Sequence, residues 1–439
     1  MFNVKQHKKI GLLLAVFLYC FNPGWPSLLH SGQSVAVTAK NGLMPGKPRT
    51  KGDQTCELEE RLRVPQTAAH FIQQGGYALA PNDHISKTVN SESSFVPAST
   101  LKIVTSLAAL DILGPDHRFA TRLFRDQQGN LYIHGSGDPF LLTENVTTIV
   151  QQLQESGIQQ INNLIVDESA YQLDCPADGC DNTTNPYDAW NSGLAVNFNA
   201  IAIRVAPDRT VSSDDPKVPF LPMMLVIGAT LPPGHHHLNV NAFTPTGQLS
   251  NTLRYTGELF AALLQKQQIV VHGEIMAGQT PPEATPILTY WSKKTVRVML
   301  QQCLKYSNNF IANQLFLACG TARFGAPATW DKARATLQAY IKENLGLSES
   351  ELIMVEGSGL SRRNRITPRA MITVLQRFAP YKELLPMKNG VMVKSGTLTG
   401  VYCYAGYLPQ QQDAPFAILL NQSQNNRDEI LQILTAKKR

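Results

Sequence analysis

Three short clusters in this 439-residue chain carry residue types able to do covalent chemistry. The first is Ser99-Thr100-Leu101-Lys102, just after Pro97 and at the head of the most hydrophobic helical pattern in the sequence. A serine and a lysine three residues apart share a helix face, so Lys102 can reach the Ser99 hydroxyl. A serine hydroxyl is a poor nucleophile until a neighbouring base takes its proton. A lysine can be that base when burial and a second cation lower its pKa. The N–H groups at a helix start can also help to hold an oxyanion. Alone the motif is weak, and its bland reading is a capping serine beside a solvated lysine. The neighbours Leu101, Ile103 and Val104 make a merely solvated lysine an odd fit.

The second cluster, Ser307-Asn308-Asn309, lies inside an otherwise helical run and offers a hydroxyl and two amides that could bridge a lysine and a substrate amide. By itself it reads more readily as a helix terminus or a surface patch. The third, Lys394-Ser395-Gly396-Thr397, follows the strand-like Val391-Met392-Val393. A cation, two hydroxyls and a glycine on an edge strand would let a peptide backbone pair as an added strand while its C-terminal carboxylate meets Lys394, Ser395 and Thr397.

Elements must carry these groups. Gly76 to Leu79 reads as a strand, and Leu101 to Leu113 as a buried helix closed by Gly114-Pro115. From about 116 to 287 short strands and Pro/Gly punctuation dominate, with Thr143 expected to cap an amphipathic helix. Helical patterning returns near residue 293. Strand patterns follow at 390–394, 401–408 and 416–420, then a last helix from about Arg427. The two ends therefore read as one domain, 56–115 with 288–439, and 116–287 as inserted domains.

In this order the three clusters are the motif set of penicillin-binding proteins and class A β-lactamases. The chain resembles one branch more closely, the low-molecular-mass class C penicillin-binding proteins of the D-alanyl-D-alanine carboxypeptidase/endopeptidase family. Pro97-Ala98-Ser99, Gly135-Ser136-Gly137-Asp138-Pro139, Val166-Asp167-Glu168-Ser169, Val196-Asn197-Phe198-Asn199 and Gly357-Ser358-Gly359-Leu360-Ser361-Arg362 carry that resemblance. So do the 208 positions between Ser99 and Ser307, far more than a compact β-lactamase uses.

The resemblance implies an α/β, serine β-lactamase/transpeptidase-like core, an antiparallel sheet flanked by helices, with mainly β inserted domains. It implies Ser99 as nucleophile, Lys102 as its base, and Ser307 and Asn309 as the bridge. Lys394, Ser395, Gly396 and Thr397 would receive substrate, and the N–H groups of Ser99 and Thr397 would form the oxyanion hole. Peptidoglycan peptides are the expected substrates and β-lactam antibiotics the expected acylating ligands. Asn308 stands where the family usually has Asp, Asn313 where Glu is common, Ser395 where Thr is usual, and Glu356 where Asp precedes the glycine. A β-lactamase or esterase on the same core, or a non-enzymatic wall-binding protein, are the alternatives. Tyr306-Ser307-Asn308 also matches the Tyr-x-Asn motif of class C β-lactamases one residue out of register, and only one register can face Ser99.

Composition narrows the setting. Lys5, Lys8 and Lys9 before the apolar run Ile10 to Phe21 look like a secretory signal, placed at 1–36, with a leader over 37–55; this predicts a periplasmic protein without an integral membrane segment. Removing 1–36 lowers the net charge from +6 to +3, too little for a nucleic-acid stripe. Cys175 and Cys180 are spaced for a small disulfide. His235-His236-His237 reads as a surface loop, and no metal or cofactor is expected.

Overall fold

The computed structural model describes residues 67–181 and 183–436. The expected signal (1–36), the leader (37–55), Cys56 and the tail Lys437-Lys438-Arg439 lie outside the described residues.

Strands β1 (Gly75–Leu79) and β2 (Lys87–Val89) form an antiparallel pair. A 3-10 turn over Ala98–Leu101 then runs into α1 (Lys102–Ile112). Every residue of α1 from Lys102 to Leu110 is buried, as a helix apolar on all sides must be. Next come β3 (Ala120–Arg125), β4 (Leu131–Gly135), α2 (Thr143–Glu155) and β5 (Leu164–Asp167). They are followed by β6 (Ala200–Val205), β7 (Val211–Ser213), α3 (Pro222–Gly228) and β8 (Gly234–Asn239). The stretch ends with α4 (Asn251–Lys266), β9 (Ile275–Ala277) and β10 (Thr285–Trp291). Four helices follow: α5 (Val296–Tyr306), α6 (Asn309–Phe324), α7 (Trp330–Leu345) and α8 (Pro368–Phe378). The chain closes with β11 (Met387–Lys388), β12 (Val391–Leu398), β13 (Val401–Leu408), β14 (Ala414–Leu420) and α9 (Arg427–Thr435).

The main sheet is antiparallel in the order β11-β12-β13-β14-β1-β2. Its closing pair joins the two ends of the chain, from Gly75 opposite Leu420 to Leu79 opposite Phe416. One apolar core packs this sheet against α1, α5, α6, α7 and α8; a smaller one lies on the other face under α9. Residues 120–291 build a five-stranded sheet, β9-β5-β4-β3-β10, and a three-stranded one, β7-β6-β8, around a core of their own. Among the described residues no helix is long and apolar enough to cross a membrane.

Several local expectations change. Thr143 is the first helical residue and not the cap: the cap is Leu142, whose N–H is accepted by Asn145 Oδ1 at 3.0 Å. The helix α4 has no counterpart in the sequence reading, although Glu258 to Lys266 are almost all strong helix formers. His235-His236-His237 belong to the edge strand β8, where His235 faces Asp214 at 2.8 Å. The Cys175–Cys180 disulfide is not formed. Cys180 Sγ instead donates to the Asp188 carbonyl at 3.2 Å, and Cys175 is exposed.

The segment before Ser99 is pinned from two sides. Phe95 exchanges backbone hydrogen bonds with Ile366 at 3.0 Å each way. Beyond the end of β14, the Asn421 amide accepts from Val96 N–H at 2.8 Å and donates to Val96 C=O at 3.1 Å. That one side chain replaces a strand partner for Val96, which is buried. Asn421→Ala is expected to cost about 1–3 kcal/mol, the penalty of stranding the buried Val96 N–H, since the Val96 carbonyl keeps the Cys403 thiol at 3.5 Å, measured by chemical denaturation. An unchanged midpoint would remove this pin from the account.

Candidate functional site

The three clusters converge at the junction of α1, the α5–α6 corner and β12. Ser99 sits in the 3-10 turn, with Ala98 before it held at φ 46°, a left-handed conformation costly for a residue with a Cβ. Lys102 is fully buried one turn later. Its Nζ lies 3.1 Å from Ser99 Oγ, 2.7 Å from Asn309 Oδ1 and 2.6 Å from the Ser358 carbonyl. Two of these neighbours can only accept. A neutral amine therefore spends both N–H bonds on Asn309 and Ser358 and turns its lone pair to the one neighbour that can donate, the Ser99 hydroxyl.

The second cluster breaks its helix. Ser307 takes the left-handed conformation (φ 56°) that ends α5, and Asn308 caps α6 by accepting from Ile311 N–H at 2.9 Å. This corner turns Ser307 toward Lys394 and Asn309 toward Lys102, while Tyr306 is 40% exposed with Lys305 over its ring. Asn and Asp are comparable caps, which accounts for Asn308 at a position where Asp was expected. Asn309 is oriented from the segment between β5 and β6, since its Nδ2 donates to the Tyr187 carbonyl at 3.2 Å.

On β12, period-two alternation buries Lys394 and Gly396 and exposes Ser395 and Thr397. Lys394 Nζ donates to Ser307 Oγ at 2.9 Å and to the Ser395 carbonyl at 2.8 Å. A Cβ on Gly396 would meet Pro97 O at 2.7 Å and Ser99 N at 2.9 Å, so only glycine lets this strand lie against the Ser99 turn. The short β11 pairs only with Val391 and Met392, leaving the outer edge of β12 open from Lys394 onward.

Burial lowers the pKa of Lys102 to about 8, and burial together with the nearby Lys102 and Arg427 cations lowers that of Lys394 to about 7. Two cations this close lose protons as a coupled pair. Cys303, buried between them, is pushed up to about 11 by burial and stays a thiol.

Sequence reasoning gave no role to Glu356. It is fully buried, and its carboxylate accepts from Ser358 N–H (2.7 Å), Ser358 Oγ (2.6 Å), Gly359 N–H (2.8 Å), Ser361 N–H (3.3 Å) and Asn364 Nδ2 (2.7 Å). Those bonds fix the loop that aims the Ser358 carbonyl at Lys102, and the negative charge favours the protonated lysine. Asn313 supports the same loop by accepting from Gly357 N–H at 2.7 Å. The only signal available was the Gly357-Ser358-Gly359 run, which carried the resemblance but no role.

The profile of the D-Ala-D-Ala carboxypeptidase 3 (S13) family matches residues 80–231 and 234–387. A D-alanyl-D-alanine carboxypeptidase of Actinomadura sp. (strain R39) is 24% identical over 398 residues, covering 74% of this chain and 73% of that protein. The D-alanyl-D-alanine carboxypeptidase DacB of Haemophilus influenzae is 24% identical over 378 residues, covering 73% and 78%. The crystal structure of penicillin binding protein 4 (dacB) from H. influenzae superposes with a TM-score of 0.69 at 20% identity, over 84% of this chain and 97% of that one. The same protein complexed with a β-lactam gives 0.65 at 20% identity over the same shares.

Glu356→Gln exchanges an acceptor-only carboxylate for an amide whose NH₂ must face N–H donors. It is expected to destabilise by about 1–3 kcal/mol in denaturant titration. Unchanged stability would mean that the loop is held by other contacts.

Proposed function

The chain belongs to the D-Ala-D-Ala carboxypeptidase 3 (S13) family, and on that premise we propose that it cleaves D-alanyl bonds of peptidoglycan stem peptides and cross-links through an acyl-enzyme on Ser99. The observation that carries this reading is Lys102 Nζ, held by two carbonyl acceptors with its remaining valence toward Ser99 Oγ at 3.1 Å.

Lys102 takes the Ser99 proton as Oγ attacks the penultimate D-Ala carbonyl. The N–H groups of Ser99 and Thr397 receive the oxyanion. Lys394, Ser395 and Thr397 hold the carboxylate of the departing residue, and the open edge of β12 takes the peptide as an added strand. As the C–N bond breaks, the proton that Lys102 took passes to the leaving amine, with the Ser307 hydroxyl, held by Lys394 at 2.9 Å, as its relay, and Lys102 is neutral again. Water, activated by Lys102, then attacks the ester; the shortened peptide leaves and Ser99 regains its proton. A β-lactam offers the same attack on a strained amide whose amine stays tethered. The β-lactam complex of the H. influenzae relative supports this ligand class.

Residues 116–287 form an inserted body flanking the cleft in this reading, supported by the Tyr187–Asn309 contact. The substrate lies in the cell wall. That, together with Lys5, Lys8 and Lys9 ahead of Ile10 to Phe21, supports export to the periplasm.

Ser99→Ala should lose all penicilloyl adduct in intact-mass analysis; an adduct on that variant would refute the nucleophile. Lys102→Arg keeps the charge but cannot surrender a proton, and acylation should fall about 10²- to 10⁴-fold. The pH profile of acylation tests the pair. The rate should rise as the first proton leaves, with an apparent pKa near 7 to 8, and fall when the second leaves and the carboxylate loses its cation. Lys394→Ala removes a positive neighbour, so Lys102 holds its proton more tightly and the rising limb should move to higher pH. A rising limb that stays in place would separate the two lysines electrically.

A further inference from the structure

Arg427 opens α9 on the Tyr404 side of the sheet, away from all three clusters in sequence. Its guanidinium stacks 4.5 Å from the ring centroid of Tyr404, which is fully buried. The ring is itself fixed, because Tyr404 OH donates to Asp428 Oδ1 at 2.9 Å and Lys388 Nζ donates to the same hydroxyl. From this platform Arg427 Nη1 donates to the Gly396 carbonyl at 2.9 Å and to Thr397 Oγ1 at 2.8 Å. Among the described residues no carboxylate pairs with Arg427: Asp428 is engaged by Tyr404 and Lys388, and Arg427 Nε is buried without a hydrogen-bond partner. The charge is therefore not neutralised locally, and it lies behind the strand end where Lys394 already brings a cation.

A threonine hydroxyl has one proton and two lone pairs. With Arg427 donating into one lone pair, the Thr397 proton must point elsewhere, and Thr397 is exposed on the same strand face as Ser395. We propose that Arg427 is a positioning residue that commits the Thr397 hydroxyl to donate to the carboxylate of the residue that leaves, so that this chain selects peptides bearing a free carboxylate there over amidated ones. The proposal rests on the function given above. It goes beyond that reading by assigning the selection to a residue that never touches substrate, acting through Thr397.

The test uses the purified protein with two peptides, a diacylated Lys-D-Ala-D-Ala and its C-terminal carboxamide. Arg427→Met keeps an unbranched stem over Tyr404 but removes every donor. It should raise KM for the carboxylate peptide about tenfold, the scale of one charge-assisted hydrogen bond, with kcat within about twofold. Compared at each protein's own pH optimum, because the Arg427 cation also lowers Lys394, turnover of the carboxamide should be unchanged. Because Arg427 acts through Thr397, adding Arg427→Met to Thr397→Val should cost little more than Thr397→Val alone. Arg427→Lys, which restores a cation without the planar fork, should recover only part of the discrimination. Equal losses on both peptides, full additivity with Thr397→Val, or unchanged discrimination in Arg427→Met would each overturn the proposal while leaving the functional reading standing. A wild-type protein that turns over neither peptide would overturn that reading, and this proposal with it.

Discussion

Two lysine amines buried within one cleft set the terms for everything around them. Each charged amine withdrawn from water needs acceptors, and each raises the cost of protonating the other. The protein meets the first demand with four oxygens from three places: Ser358 and Asn309 for Lys102, Ser307 and Ser395 for Lys394. It leaves the second demand unmet, and that tension keeps a proton acceptor within reach of neutrality. Glu356 limits the tension by placing one negative charge behind Ser358.

The scaffold's task is to bring those oxygens to fixed positions. A helix buried throughout, α1, anchors Lys102; a helix–helix corner presents Ser307 and Asn309; an edge strand presents Lys394 and Ser395. None of these elements neighbours another in the chain. The contacts that hold them together are therefore backbone-close: Gly396 against Pro97 and Ser99, Gly359 against the Ala98 carbonyl, and Asn421 clasping Val96. At such positions a single added methyl group displaces backbone and not a pliable side chain.

The candidate site was legible because its residues are short local strings: Ser99 and Lys102 one turn apart, and Lys394 to Thr397 along one strand. The main sheet was legible from the apolar runs at β1, β13 and β14. What the sequence hid depends on conformations that pattern does not encode. Ser307 lay in a helical run and read as a helix terminus or surface patch, but nothing in the pattern gave the left-handed conformation that splits the run in two and aims the cluster. Glu356 and Arg427 act across loops and sheet faces, so no spacing rule points to them. The helix α4 went unread in a stretch taken for short strands between Pro and Gly residues, and the spacing of Cys175 and Cys180 allowed a bond that the turn of Cys180 toward Asp188 does not make.

The pairing of β1 with β14 also bears on the order in which the molecule can be assembled. Strand β1 leaves the synthetic machinery long before its hydrogen-bonding neighbour β14. Residues 120–291 have their own core and sheets and can become ordered while the rest of the chain is still arriving. The sheet that seats Ser99 must wait, since closing so long a loop precedes the contacts that reward it. Lys102 thus meets its second cation only when β12 docks. On the proposed reading, a chain in which β12 has not docked lacks the paired amines and the burial that lowers Lys102, so Ser99 gains its reactivity only with the closed sheet.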